Sequence, residues 1–172
     1  MSIKLIKCEE EDLEKLRELS YETYYETFKN MCSKGVMEKY LNDAFDQKKL
    51  LNELNNQNTV FYFVYKDNII AGYIKLNEFN AQNNIYGDDS MELERIYVKK
   101  EFKGKGLGKY LLKKSTEFAK EKNKTFLWVG VWEKNKEAIE FYGKNGFRKF
   151  GERDFYMGDE RQNDYLMRIE IK

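Results

Sequence analysis

The sequence contains no proline and no histidine, carries only two cysteines, and shows no apolar run near the ~20 residues that a membrane-spanning helix needs. Without histidine, Ser-His-Asp and Cys-His mechanisms drop out, and general acid and base work falls to Glu, Asp, Tyr, Lys or Cys. Cys8 and Cys32 form no CxxC pair and have no histidine to join them, so neither a disulfide framework nor a metal site is expected. The start, MSIKLIKCEEEDLEKL, lacks the apolar stretch and small-residue cleavage site of a secretory signal, and a cytoplasmic protein with no membrane partner is expected. Net charge is scarce too: 31 Lys and Arg stand against 30 Asp and Glu, which argues against a globally basic nucleic-acid binder. Linkers, repeats and low-complexity tracts are also missing, so the 172 residues are expected to form one domain, 1–172.

What is present is a core-forming chain, 41% hydrophobic and 16% aromatic. Ile3 to Lys7 alternates as a strand, and Leu13, Leu16, Tyr21, Tyr24 and Phe28 then fall at helical spacing. A weaker helical stretch from Val36 to Leu54 is expected to break near Asn42 to Asp46. Thr59 to Leu76 reads as a hairpin turning at Lys66-Asp67-Asn68. MELERIYV alternates as a strand, a helix is expected from Gly106 to Lys122, and FLWVGV reads as a buried strand. Asn135 precedes a second helix that Asn145-Gly146 ends. Strands at Phe147 to Tyr156 and Asp164 to Ile171, around a Met157-Gly158-Asp159 turn, complete a mixed α/β sheet with helices on both faces.

The segment ERIYVKKEFKGKGLGKYLLKK places Gly104, Gly106 and Gly108 between a strand and a helix, where free backbone N–H groups and the helix dipole suit a phosphate. A Walker A loop fails because Lys103 stands where its first glycine belongs and Tyr110 follows Lys109; GxGxxG fails because its third glycine falls on Lys109. A ligand-free glycine turn remains the alternative. Seven lysines and one acid lie between Lys99 and Lys114, whereas Asp88, Asp89, Glu92 and Glu94 lie just before with no base among them. That gradient matches a phosphate-bearing cofactor at one end of the strand and a cationic substrate at the other, or else solvated surface charge. Tyr142, on a helical apolar stripe two turns beyond Asn135, is either a proton donor or a core residue.

Together, KGKGLG after ERIYV and the later NKEAIEFYGKNGF resemble the GNAT superfamily of acetyl-coenzyme A dependent N-acetyltransferases, whose loop pattern is Q/R-x-x-G-x-G/A. Lys103 departs from that pattern at its first position, and Gly106 and Gly108 fill its glycine positions. More narrowly, YETYYETFK, LERIYVKKEF, LWVGVWEKN, AIEFYGKNGF and FYMGDERQND are similar to the PaiA-type spermidine/spermine N-acetyltransferases. The resemblance implies a largely antiparallel seven-stranded twisted sheet flanked by helices, with the strands Met91 to Val98 and Phe126 to Val131 splayed around acetyl-coenzyme A. It further implies that the backbone of Ile96, Tyr97 and Val98 pairs with the pantetheine arm and that Lys103, Gly104, Lys105, Gly106, Leu107, Gly108 and Lys109 cradle the pyrophosphate. Asn135 and Ala138 would contact the pantetheine from the other side, and Lys144 the nucleotide end.

The reaction so implied is acetyl transfer to a polyamine by direct attack in a ternary complex, with Glu94 as base through water and Tyr142 as acid to the departing thiolate. A backbone N–H near Ile96 to Val98 would stabilise the oxyanion. Glu92 would share the base role or bind a second ammonium, unless it is a solvated strand residue. Tyr21, Tyr24 and Tyr25, with Glu22 and Glu26, would hold the polycation by cation–π contact and charge, with core packing an equal account of several of these tyrosines. A covalent route through Cys8 or Cys32 is disfavoured because neither lies in the motifs. A protein, peptide or other small amine is the alternative acceptor, and a coenzyme A-binding regulatory module without turnover the alternative class. A homodimer is left open.

Overall fold

A computed structural model of the chain describes residues 2–84, 86–157 and 159–172. Among these, seven strands form one sheet in the order β1-β2-β3-β4-β5-β7-β6. In chain order the elements are β1 (Ile3–Lys7), α1 (Leu13–Phe28), α2 (Lys34–Ala44), α3 (Gln47–Asn55), β2 (Thr59–Lys66), β3 (Ile69–Glu78) and β4 (Ser90–Val98). Then follow α4 (Leu107–Glu121), β5 (Phe126–Trp132), α5 (Lys136–Lys144), β6 (Arg148–Met157) and β7 (Glu160–Glu170). All neighbouring strands are antiparallel except β4 and β5.

Strand alternation sorts the side chains onto two faces. On one, Ile74, Leu76, Leu93, Leu127, Val129 and Val131 pack against Leu107, Leu111 and Ala119 of α4 and Tyr142 of α5. On the other, Phe61, Phe63 and Tyr73 meet Leu16 and Leu19 of α1 and Leu50 of α3, while Trp132 joins Tyr24, Phe28, Met37 and Phe45. The break between α2 and α3 falls where the sequence places it, because Asp46 caps α3 by accepting from the Lys49 N–H at 3.2 Å. The β2–β3 turn is a two-residue loop, Asp67 and Asn68 both having positive φ.

Two expectations need correction. β7 begins at Glu160, not Asp164, because Arg161, Gln162 and Asn163 pair with Tyr156, Phe155 and Asp154 of the outermost strand, where a polar stretch carries no apolar signal. The alternation of β4 also breaks. Lys75 stands opposite Arg95 and Leu76 opposite Leu93, so Glu94 is the extra residue of a bulge, and Glu92, Glu94 and Arg95 all serve the α1–α3 face. The turn centred on Gly158 lies outside the described residues.

The β3–β4 connection is pinned from within. Gln82, 5% exposed, accepts through Oε1 from Trp128 Nε1 at 2.8 Å and from Ser90 Oγ at 2.9 Å, at the level where β4 and β5 pair. Replacing Gln82 by Leu strands the buried Trp128 Nε1 donor, while Ser90 Oγ keeps the Gly87 carbonyl at 3.0 Å, and costs about 2–3 kcal/mol. Thermal unfolding should show a Tm lower by roughly 5–10 °C for Gln82→Leu; an unchanged Tm would contradict this role.

Candidate active site

β4 and β5 pair over three positions only, Ser90 with Phe126, Met91 with Leu127 and Glu92 with Trp128. Beyond them β4 stays with β3 as far as Val98 and β5 with β7 as far as Trp132, so the two strands part. The bulge at Glu94 sits just past the last pair and bends β4 away. Main-chain groups on the facing edges lose their ladder partners and need a ligand or water instead. The gap is a cleft of ≈ 420 Å³ with Ile96, Tyr97 and Val98 on one wall and Val131, Asn135, Ala138 and Tyr142 on the other.

One end of the cleft is the loop before α4. Gly104 and Gly106 have φ of 76° and 82°, a region costly for any residue with a Cβ. No side chain caps α4, its first turn holds no acid, and its first helical bond runs from the Tyr110 N–H to the Gly106 carbonyl. The N–H groups of Leu107, Gly108 and Lys109 are therefore uncommitted at the positive end of a helix dipole, the donor set an anion requires. Lys103 and Lys109 add charge at the lining, whereas Lys105 is exposed outside it. Leu107 contributes backbone alone, its side chain being in the core. Gly108 has a packing role: a Cβ there would stand 3.1 Å from Phe141 Cζ, so glycine brings α4 close to α5.

The opposite wall is set by α5. Asn135 caps it by accepting from the Ala138 N–H at 3.2 Å, which commits its carbonyl oxygen. Tyr142 is 7% exposed and packs 5.5 Å from Phe141 and 5.4 Å from Phe147, ring centre to ring centre. Burial pushes its phenol well above the usual tyrosine range, so it is protonated through neutrality and carries a proton to donate. Lys144 instead pairs with Glu140 at 3.0 Å on the solvent side of α5, outside the lining.

A second cleft, ≈ 790 Å³, opens on the α1–α2 face between Tyr24, Tyr40, Phe45, Trp132 and Phe155. Both clefts are lined by Phe28, Glu94, Tyr97, Gly130 and Trp132, and these residues mark where they meet. Gly130 is required there: a Cβ would lie 2.3 Å from Nη2 of Arg153, whose guanidinium extends from β6 over β5, bonding Asp164 of β7 at 3.2 Å and Asn84 at 2.6 Å. Burial raises the Asp164 carboxyl, opposed by Arg153.

Of the three tyrosines expected to hold substrate, the structure brings only Tyr24 to the second cleft. Tyr21 turns to Asn42 and Phe45, donating its hydroxyl to the Asn42 side chain, and Tyr25 is 47% exposed on the outer side of α1. Helical geometry puts Tyr25 off the buried stripe that holds Tyr21, Tyr24 and Phe28, and contacts with α2 turn Tyr21, only partly buried, away from the cleft.

The two strand carboxylates also differ from expectation. Glu92 is 1% exposed and lines neither cleft; it accepts from Asn77 Nδ2, the Asn83 N–H and Asn83 Nδ2 at 2.8–3.1 Å. It is thus neither solvated nor within reach of a substrate, and burial, reinforced by Glu94, raises its carboxyl. Glu94 does reach the meeting point of the clefts. Burial alone would raise its carboxyl as well, but Arg95 and Lys75, with hydrogen bonds from Lys75 and Asn77, hold it at about 2.

Arg95, Arg153, Tyr40, Phe155 and Trp132 are the site residues that sequence reasoning missed. A signal existed for two of them. The apolar phase of β4 jumps from Met91 and Leu93 to Ile96 and Val98, which marks the bulge that turns Arg95 inward, and glycine inside the β5 run marks the close approach of Arg153. Among the described residues no helix is long and apolar enough to cross a membrane, and no group of three His, Cys, Asp or Glu could hold a metal.

Comparison with known proteins agrees with this geometry. An uncharacterized N-acetyltransferase of Lactobacillus delbrueckii subsp. lactis is 38% identical over 166 residues, 96% of each chain. A spermidine N(1)-acetyltransferase of Thermoplasma acidophilum is 30% identical over 152 residues, 86% of this chain and 89% of the relative. The crystal structure of the PaiA N-acetyltransferase of Thermoplasma acidophilum in complex with coenzyme A superposes with a TM-score of 0.79 at 28% identity, covering 99% of each chain. Residues 13–147 match the Acetyltransferase (GNAT) family, and with a full-length fold and parted central strands to go with that match, the chain belongs to it.

Proposed function

We propose that the chain acts as one domain, residues 1–172, and transfers the acetyl group of acetyl-coenzyme A to a primary amine of a polyamine such as spermidine or spermine, by direct attack in a ternary complex. The observation that carries this reading is the meeting of two clefts at Glu94, Tyr97, Gly130 and Trp132. One ends in the uncommitted N–H groups of α4, and the other opens to solvent between aromatic walls. Acetyl-coenzyme A supplies the activated acyl carbon. The residues of this chain would do the rest: the loop Lys103–Lys109 binds phosphate, and the free edge of β4 at Ile96–Val98 pairs with an amide-bearing arm and offers N–H groups to charge developing on the carbonyl oxygen. Asn135 and Ala138 form the facing wall, and Tyr142 returns a proton to the leaving sulfur.

An alkyl ammonium with a pKa of about 10.4 must lose a proton before it attacks. Glu94, held at about 2, is a weak proton acceptor, so its role in this mechanism is to bind the ammonium while water in the second cleft carries the proton away. The polyamine class is supported by the spermidine N(1)-acetyltransferase relative, by the faces of Tyr24, Tyr40, Trp132 and Phe155, and by Asp43 and Asp154 in the lining. A second reading, an acceptor amine that also bears a carboxylate such as a peptide or amino acid, is favoured by Lys39, Lys49, Arg95 and Arg153 in the same lining.

Thiol release from acetyl-coenzyme A, with mass spectrometry of products, should be measured against spermidine, spermine, putrescine, lysine and a peptide pool. Saturable acetylation of spermidine or spermine with the highest kcat/KM is expected. Preference for lysine or peptides would select the second reading, and cofactor binding without any turnover would leave a coenzyme A-binding module. Tyr142→Phe keeps the packing on Phe141 and Phe147 and removes the proton. It should lower kcat by about 10²-fold or more while the coenzyme A Kd measured by calorimetry stays within about two-fold. An unchanged kcat would remove Tyr142 from the chemistry.

A further inference from the structure

Behind Glu94 lies a charge cluster that the reaction outlined above does not use. Lys75 of β3 is 5% exposed, and its Nζ stands 2.7 Å from Glu53 Oε1 of α3 and 2.8 Å from Glu94 Oε1, with the Phe61 ring centre 5.5 Å away. Asn77 Nδ2 donates to the same Glu94 oxygen at 2.8 Å. Glu94 Oε2, by contrast, has only Arg95 Nη2 at 3.4 Å, and Arg95 is itself stacked 4.9 Å over Phe45 and 3.7 Å from Glu53. One carboxylate oxygen is therefore clamped from behind, whereas the other, on a residue that lines both clefts, keeps one longer ion-pair contact. Stability does not account for such a clamp, since a buried ion pair is commonly matched or bettered by apolar side chains of similar volume.

We propose that Lys75, backed by Glu53, is a positioning residue for acyl transfer: it fixes Oε1 of Glu94, so that Oε2 is presented to the ammonium of the acceptor. The proposal rests on the reading that Glu94 meets the acceptor amine. The charged and titratable groups facing Glu94 are Lys75 and Tyr73 of β3, Arg95 and Glu92 of β4, Glu53 of α3 and Tyr40 of α2. Of these, only Lys75 and Arg95 favour its charged form, so removing Lys75 moves the carboxyl upward and leaves Arg95 and the Asn77 hydrogen bond to oppose burial.

The test combines a carbon-detected NMR titration of the Glu94 carboxyl with the pH profile of kcat/KM, using whichever amine turns over. The wild-type carboxyl should not titrate between pH 4 and 8. In Lys75→Met it should titrate ~2 units higher than in the wild type, and kcat/KM should gain an acid limb at that new pKa, falling as pH falls through it. Lys75→Arg should abolish the limb, the Lys75→Met, Glu94→Gln double variant should lack it, and Glu53→Gln, which leaves Lys75 to Glu94 alone, should not create it. Lys75→Gln takes the place of Lys75→Met if the latter does not fold. A loss of activity equal at all pH values, with the Glu94 titration unmoved, would make Lys75 a structural residue and overturn the proposal. Absence of turnover with every amine overturns the underlying reading instead, a failure separable from the first because the NMR titration needs no activity.

Discussion

Everything at the site depends on two parallel strands that part after three residue pairs. A sheet normally satisfies its own backbone, and here β4 and β5 stop doing so beyond Glu92 and Trp128. The open edges are held apart by strands that remain fully paired on their outer sides, β3 and β7, so the gap is a rigid feature of the sheet and no loop has to form it. The helices follow from the same constraint. α4 starts where β4 ends and directs its N-terminus into the cleft, and α5 starts where β5 ends and covers the other wall with Ala138 and Tyr142.

Charge is distributed across this gap with an asymmetry that composition hides. The cofactor side offers N–H groups, lysines and a neutral phenol, a set suited to anions and to proton donation. The second cleft carries both signs, and several of its charges are already paired, Glu94 with Lys75 and Arg95 and Asp164 with Arg153. In the proposed mechanism the ammonium proton leaves through water, because the carboxylate at the meeting point is too acidic to keep it. This is where the amino-acid sequence alone misleads: a run of acids before a run of lysines reads as an acidic entry, whereas the folded chain neutralises one of those acids and buries another.

The sheet, its helices and the anion-binding end of the cleft were legible because each rests on local rules: period-two alternation, an Asn or Asp cap, and glycines with positive φ before an uncapped helix. The start of β7 carries no apolar signal in the sequence, because its first residues are polar and pair with the edge strand. The acceptor side was read poorly for a different reason. Its wall joins Tyr24 of α1, Tyr40 of α2, Trp132 of β5 and Phe155 of β6, residues that no local pattern connects and that only strand order brings together. The hydrophobic stripe that includes Phe28 separates Tyr25 from Tyr21 and Tyr24, and only the tertiary contacts of Tyr21 with Asn42 and Phe45 separate it from Tyr24. The inward turn of Arg95 was written in the phase jump of β4, and the path of Arg153 in the glycine of β5.

We propose that the parted strands and the α4 N-terminus form the coenzyme A site. It has a structural competitor, a ≈ 580 Å³ cavity between α4 and β7 lined by Lys120, Arg148, Arg168 and Lys172, where basic side chains could also draw phosphate. Hydrogen exchange with and without coenzyme A separates the two directly. Slowed exchange is expected across residues 93–98, 104–109 and 135–142, with none at residues 168–172. Protection confined to the α4–β7 cavity, or no protection on saturation with coenzyme A, would contradict the account.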